Sequence, residues 1–206
     1  MMKLYITAGS PYARTVRIVI LEKGLADRVE ILLAPTRQAN SPYYKINPSG
    51  RVPYLIRDDF VPMEESGLIV AYLDHLDGKP QFDWPSDNVG SASWEPRRID
   101  ALAHSLVDGL AVWSRELARN ANERSPTTLA HETARAARML DLWETTIGHP
   151  VMHGPLNLAQ ITLACALGHA ERLPQCTWRE GHPKLVAWFD EFARRPSFAA
   201  TAVAQA

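Results

Sequence analysis

The chain has 206 residues, with 22 Lys plus Arg against 23 Asp plus Glu and a formal net charge of −1. That balance offers no attractive field for nucleic acid or an anionic membrane surface, so neither is an expected partner. The apolar content of 46% is that of a soluble globular protein, and no apolar run approaches the roughly 18 residues of a membrane span.

The length accommodates one large domain or two small ones. Cys165 and Cys176 lack metal-ligand spacing and form no Cys-x-x-Cys pair. A reduced, cytoplasmic protein without a bound metal is therefore expected. The first strand begins at Lys3, which leaves no room for a signal peptide. The six Trp residues, scattered along the C-terminal two-thirds, are expected mostly in the core.

In chain order, Leu4-Tyr5-Ile6-Thr7 reads as a short apolar strand. Ser10-Pro11-Tyr12-Ala13-Arg14 then opens a helix whose apolar body runs from Val16 to Leu21. Ser is a favoured N-cap, and Pro suits the first helical position, where its missing N–H is no loss. The same geometry has a second use. A helix N-terminus presents free N–H groups and the positive end of a dipole, which suits an anion. Arg14, one turn in, adds positive charge, and a hydroxyl at that point can donate to a bound thiolate.

Lys23-Gly24 ends the helix. Val29, Ile31 and Leu33 alternate, so Val29–Leu33 is a strand, parallel to the first across a βαβ unit. Residues 37–47 are polar and irregular, with one helical turn at most. Asn47-Pro48-Ser49-Gly50-Arg51-Val52-Pro53 is dense in turn formers. Pro53 is either trans at a strand start or cis in a tight turn, and the cis form leaves the Val52 N–H and C=O free for a ligand backbone. Tyr54–Arg57 and Phe60–Met63 are short strands around Asp58-Asp59, a hairpin. Ser66 is the expected N-cap of a helix carrying Ile69, Tyr72, Leu73 and Leu76 on one face, ended by Gly78 and Pro80. Glu65-Ser66 has two readings. One is dipole complementarity at a helix start. In the other, Ser66 and the helix N–H groups take a carboxylate while Glu65 takes an ammonium, a grip on an α-amino acid head group.

Residues 79–92, with Pro80, Pro85 and Gly90, read as a linker. Everything beyond looks helical. Ile99, Leu102, Ala103, Leu106, Leu110, Trp113 and Leu117 form one stripe, with His104, Asp108, Ala111 and Arg115 opposite. Leu129, Thr133, Ala136, Leu140, Trp143 and Ile147 form a second stripe. Asn157 and Gln160 have the spacing of a capping box, and Leu156 with Ile161 that of a hydrophobic staple. His182-Pro183 starts a last amphipathic helix ended by Arg194-Arg195-Pro196, and residues 199–206 are expected to fray.

The first half thus runs β-α-β, loop, β-β-α, the thioredoxin-like order. The expected architecture is a thioredoxin-like α/β domain (residues 1–78), a linker (79–92) and an all-α helical-bundle domain (93–206).

Three motifs in this order resemble the cytosolic glutathione S-transferase superfamily: Ser-Pro-Tyr-Ala-Arg after the first strand, Asn-Pro-Ser-Gly-Arg-Val-Pro before the third, and Glu-Ser before the last helix of the first domain. The resemblance is to the serine-type members, bacterial and tau-like, and covers essentially the whole chain. It implies glutathione as co-substrate. Ser10 matches the serine that stabilises the glutathione thiolate. Val52, before a proline (Pro53) that is cis in the family, matches the residue that pairs with the cysteinyl amide. Glu65 and Ser66 match the grip on the γ-glutamyl end. Arg51 matches a basic residue near the glycyl carboxylate, with Arg37 and Lys45 as substitutes. It also implies a homodimer, and an electrophile pocket at Tyr12, His104, Asp108 and Ala111, since the long helix after the linker borders both cleft and dimer interface in the family.

The chemistry needs such a site. A free thiol, with a pKa near ~8.5, is only a few per cent thiolate at neutral pH. Each unit of depression corresponds to about 1.4 kcal/mol and multiplies the thiolate up to tenfold. The expected activity is conjugation of glutathione to a hydrophobic electrophile. Peroxide reduction or thiolytic ether cleavage would use the same thiolate. A non-catalytic binding protein that has kept the fold is the third possibility, and it predicts a degraded glutathione grip.

Overall fold

The computed structural model describes residues 1–82 and 91–203, the side chains of residues 91–93 excepted. The expected linker falls largely outside these residues, as does Trp84. Contacts divide the chain into two units, Met1–Asp83 with Pro196–Ala206, and Trp84–Arg195.

The first unit is built on a mixed sheet of four strands, β1 (Met2–Ile6), β2 (Val29–Leu33), β3 (Tyr54–Ile56) and β4 (Pro62–Glu64), in the order β2-β1-β3-β4. β1 pairs parallel with β2, antiparallel with β3, and β3 pairs antiparallel with β4. This is the thioredoxin-like arrangement. Met2, Leu4 and Ile6 alternate into the core, as strand periodicity requires. The helix α1 (Pro11–Glu22) buries Val16, Ile18, Val19 and Ile20 and packs against α2 (Ser66–His75), which buries Ile69, Val70 and Leu73. Gly24, at φ +63°, follows the end of α1.

At the C-terminal ends of α1 and α2, Lys23 Nζ lies 3.2 Å from Asp74 and 2.9 Å from Asp77 and donates to the Lys79 carbonyl at 2.8 Å. Asp74 is fully buried and accepts from the N–H groups of Gln81 and Phe82. The start of the segment leaving α2 is thereby pinned, and Phe82 is buried beside it.

The C-terminal residues depart from expectation. Ala199 and Ala200, the start of the tail expected to fray, instead close a short helix, α7 (Pro196–Ala200), that packs on α1. Ser197, Phe198 and Thr201 are buried, which an unanchored tail would not achieve.

The second unit is all helical: α3 (Ser91–Leu117), α4 (Pro126–Thr146), α5 (Leu158–Ala170) and α6 (Pro183–Phe192). α5 is its centre, buried from Ala159 through Ala170 and packed against α3. Asn157 caps α5 by accepting from the Gln160 N–H at 3.1 Å. The reciprocal half of the capping box is not made: the Gln160 amide instead donates to the carbonyls of Val151, Gly154 and Pro155, fastening the preceding loop. On α4 the expected inward Thr133 is exposed and Glu132 is buried in its place. The room comes from Gly109 of α3: a Cβ there would lie 3.0 Å from Glu132 Oε2. Trp113, Trp143, Trp178 and Trp188 are buried as expected, whereas Trp94 is exposed.

Candidate functional site

The sheet register explains how three separate motifs become neighbours. Tyr5 of β1 stands opposite Tyr54 of β3, and Tyr54 stands opposite Glu64 of β4. Ser10 follows the end of β1, Val52-Pro53 precedes the start of β3, and Glu65-Ser66 follows the end of β4. All three therefore leave the sheet at one end, from adjacent strands. Strands lie about 4.8 Å apart, so the row spans about 10 Å from β1 to β4.

Ser10 is the N-cap of α1, with Pro11 at the first helical position. Its Oγ accepts from the Ala13 N–H at 3.2 Å and its carbonyl accepts from the Arg14 N–H at 3.0 Å. Among the described residues nothing accepts the hydroxyl proton, so Ser10 retains one donor beside the positive end of a three-turn helix. Tyr12 is half-buried in the same first turn. Arg14 does not add charge to this helix start as expected. Its side chain is buried and turned to the C-terminal segment, with Nη2 donating to the Phe198 carbonyl at 2.8 Å.

The peptide bond between Val52 and Pro53 is cis. Among the described residues, no backbone group hydrogen-bonds the Val52 N–H or C=O. The loop before it is held by groups the sequence reading passed over. Asn47, buried, accepts from the Ser49 N–H at 3.1 Å and donates both to the Arg51 carbonyl and to Glu64 Oε2. Ser49 Oγ donates to the same Glu64 oxygen and accepts from the Arg51 N–H. Tyr43 donates to the Arg51 carbonyl at 2.6 Å, and burial pushes its phenol pKa up, keeping it a donor. The pattern Asn-Pro-Ser-Gly, an Asx-turn signal, was the clue to this loop. The Arg51 side chain itself is exposed, as are Arg37 and Lys45.

At the third motif the cap differs from expectation. Glu65, not Ser66, is the N-cap of α2, and Ser66 is the first helical residue. The longer carboxylate curls back, so Oε2 accepts from the Gly67 N–H at 2.9 Å, while Ser66 Oγ lies 3.4 Å from Oε1. Glu65 adopts φ +81°. A non-glycine residue there costs about 1–3 kcal/mol, and such strain concentrates at functional sites. Glu65 is exposed and Ser66 is buried, so a carboxylate and a helix start are presented side by side.

The remaining expected residues belong to the helical unit. His104 Nδ1 lies 3.1 Å from the Asp100 carbonyl and 3.4 Å from Asp100 Oδ1, which also accepts from Thr162 at 3.2 Å. Asp108 is exposed on α3 and Ala111 is buried. Among the described residues no cluster of His, Cys, Asp and Glu has the arrangement of a metal site, and no helix is long and apolar enough to cross a membrane.

Residues 4–81 match the family model of the glutathione S-transferase N-terminal domain, and residues 99–191 that of the glutathione S-transferase C-terminal domain. The chain belongs to the glutathione S-transferase family. It is 31% identical over 202 residues to the uncharacterized GST-like protein YibF of Escherichia coli K12, covering 97% of this chain and 98% of that one. A glutathione transferase family member from Pseudomonas fluorescens Pf-5, crystallised with bound glutathione, superposes with a TM-score of 0.86 at 29% identity over the full length of both chains. A glutathione S-transferase from Methylobacillus flagellatus with glutathione bound gives 0.84 at 28% identity, over 99% of this chain and 100% of that one.

Proposed function

We propose that this protein is a serine-type glutathione transferase, with glutathione as co-substrate and a hydrophobic electrophile as acceptor. The observation that carries the reading is the row of Ser10, Val52-Pro53 and Glu65-Ser66 on adjacent strand ends. From its γ-glutamyl nitrogen to its cysteinyl sulfur, extended glutathione reaches about 10 Å over eight bonds, and this matches the row. The Glu65 carboxylate takes the γ-glutamyl ammonium and the start of α2 takes its carboxylate. The Val52 backbone pairs with the cysteinyl amide, and Arg51 faces the glycyl carboxylate. The cysteinyl sulfur then falls at Ser10, where the hydroxyl and the α1 dipole favour thiolate over thiol. Ser10 acts by donating a hydrogen bond and forms no covalent bond to substrate. Residues 1–78 supply this site. The working form in this reading is a cytoplasmic homodimer.

Calorimetric titration with reduced glutathione tests the proposal first. Saturable binding at millimolar concentrations or below is expected, and absence of binding would overturn it. In Ser10→Ala, removal of one donor to a developing anion is expected to lower turnover about 100-fold. Glutathione affinity should stay within about threefold, since the grip at Val52, Glu65 and Ser66 is untouched. A Ser10→Ala enzyme with unchanged turnover would move the donor to Tyr5 or Tyr12.

A further inference from the structure

We infer that Arg14 is a positioning residue for Ser10, and that the C-terminal segment around α7 is the part of the chain that holds it in place. The inference rests on the reading of Ser10 as donor to the glutathione thiolate.

Ser10 is held by the two N–H groups that follow in the first turn of α1. Ala13 donates to its Oγ and Arg14 to its carbonyl. The direction of the remaining hydroxyl proton therefore depends on where residues 13 and 14 sit. Residue 14 is anchored by its own side chain. The Arg14 guanidinium lies 3.6 Å from the centroid of the Phe198 ring, donates from Nη2 to the Phe198 carbonyl at 2.8 Å and from Nε to Thr201 Oγ1 at 3.3 Å. Charge-assisted hydrogen bonds and a cation over a ring, shielded from water, are stronger than their exposed equivalents. The whole residue is 9% exposed.

The same segment grips α1 twice more. Arg17 Nη1 donates to the Thr201 carbonyl at 3.2 Å, and Ser197 Oγ donates to Glu22 at 2.5 Å. Thr201 is in turn fixed by donation to the Ser197 and Phe198 carbonyls. α1 is thus fastened along its length to residues 197–201, and the fastening nearest the N-terminus is at the residue that hydrogen-bonds Ser10. A small displacement of a donor matters because the strength of a hydrogen bond to an anion depends on its direction and length. Arg14 therefore acts on the thiolate through the backbone of the first turn.

The test measures the apparent pKa of glutathione bound to the full-length enzyme, read from the ultraviolet absorbance of the thiolate across pH. Ser10→Ala is the reference. Arg14→Met and Phe198→Ala are expected to raise that pKa by about half a unit to one unit, a three- to tenfold loss of thiolate below the pKa. The glutathione dissociation constant, measured at a pH below that pKa, where the bound thiol is protonated, should stay within about twofold, because the Val52 and Glu65 contacts are elsewhere. Arg14→Lys should restore part of the shift, since an ammonium still reaches one acceptor but lacks the planar fork. If Arg14→Met fails to fold, Thr201→Val removes one acceptor of Arg14 together with the hydroxyl that ties residue 201 to the Ser197 and Phe198 carbonyls, and should move the pKa in the same direction. A shift in Ser10→Ala with none in the folded Arg14, Phe198 and Thr201 variants would overturn the inference and leave the Ser10 reading standing. No shift in Ser10→Ala would remove both.

Discussion

Residue 50 must be glycine for two independent reasons. Its φ is +66°, and a Cβ there would lie 2.8 Å from a ring carbon of Tyr44. The turn it makes carries the Arg51 carbonyl to Tyr43 and Asn47, and so sets where Val52 and Pro53 stand. Gly50→Ala is expected to cost about 1–3 kcal/mol through backbone strain and the ring contact. Because the loop would shift, glutathione affinity should fall along with stability. Denaturant titration and calorimetry on the same variant check the two effects. Affinity equal to that of the parent would mean that the loop does not position the cysteinyl grip. The same scale shows where sequence reading stops. Arg14 stands in the right motif, and its charge looked available to an anion. Only the fold reveals Phe198 and Thr201 as its partners, because contacts separated by more than 180 positions leave no local pattern. Glu65 likewise took the cap expected of Ser66, since a Glu side chain at φ +81° can reach two residues onward.

At the scale of the element, α1, α2 and α5 were largely legible. Cap residues and apolar spacing act within a turn or two, and Ser10, Pro11 and Asn157 occupy the positions their chemistry favours. α4 was less so, since whether Glu132 or Thr133 faces inward is decided by the missing side chain of Gly109 on another helix. α5 also carries a charge problem that its sequence hides. His169 is buried near its end, and its Nδ1 lies 2.6 Å from Arg172 Nη2, so the ring accepts as neutral imidazole. Burial, with like charge from Arg172 and Arg115, lowers its pKa from 6.5 to about 4. An unfolded chain takes up this proton below its higher pKa while the folded one does not. The stabilisation is therefore fully present above pH 6.5 and is lost as pH falls toward 4. It amounts to about 3 kcal/mol over that window, at 1.36 kcal/mol per unit. His169→Gln should flatten the acid side of the stability profile, measured by urea unfolding across pH. A profile as steep as the parent's would place the titrating group elsewhere.

Over the whole molecule, the unit that carries the proposed site is made from two separate stretches of the chain, residues 1–83 and 196–206. Its exit is fixed by the buried Lys23–Asp74 pair, and its last helix returns after all of Trp84–Arg195 has intervened. Removing one partner of a buried ion pair strands the other, at a typical cost of 3–5 kcal/mol. Lys23→Met is expected near the low end, about 3 kcal/mol, because the Gln81 and Phe82 N–H groups still solvate Asp74. A lower urea midpoint and easier proteolysis just after α2 would show it. A midpoint unchanged from the parent would mean that the remaining partners of Asp74 suffice without Lys23.

The return of α7 has a consequence for how the protein is made. A ribosome delivers β1 to α2 first, and the nascent first unit then waits for more than a hundred further residues before Phe198 and Thr201 emerge. Until that moment the Arg14 guanidinium cannot meet the Phe198 carbonyl and ring, and α1 presents to solvent or to a chaperone the surface that α7 will cover. Synthesis from the N-terminus usually lets the leading domain finish early. In this chain the leading domain is completed last.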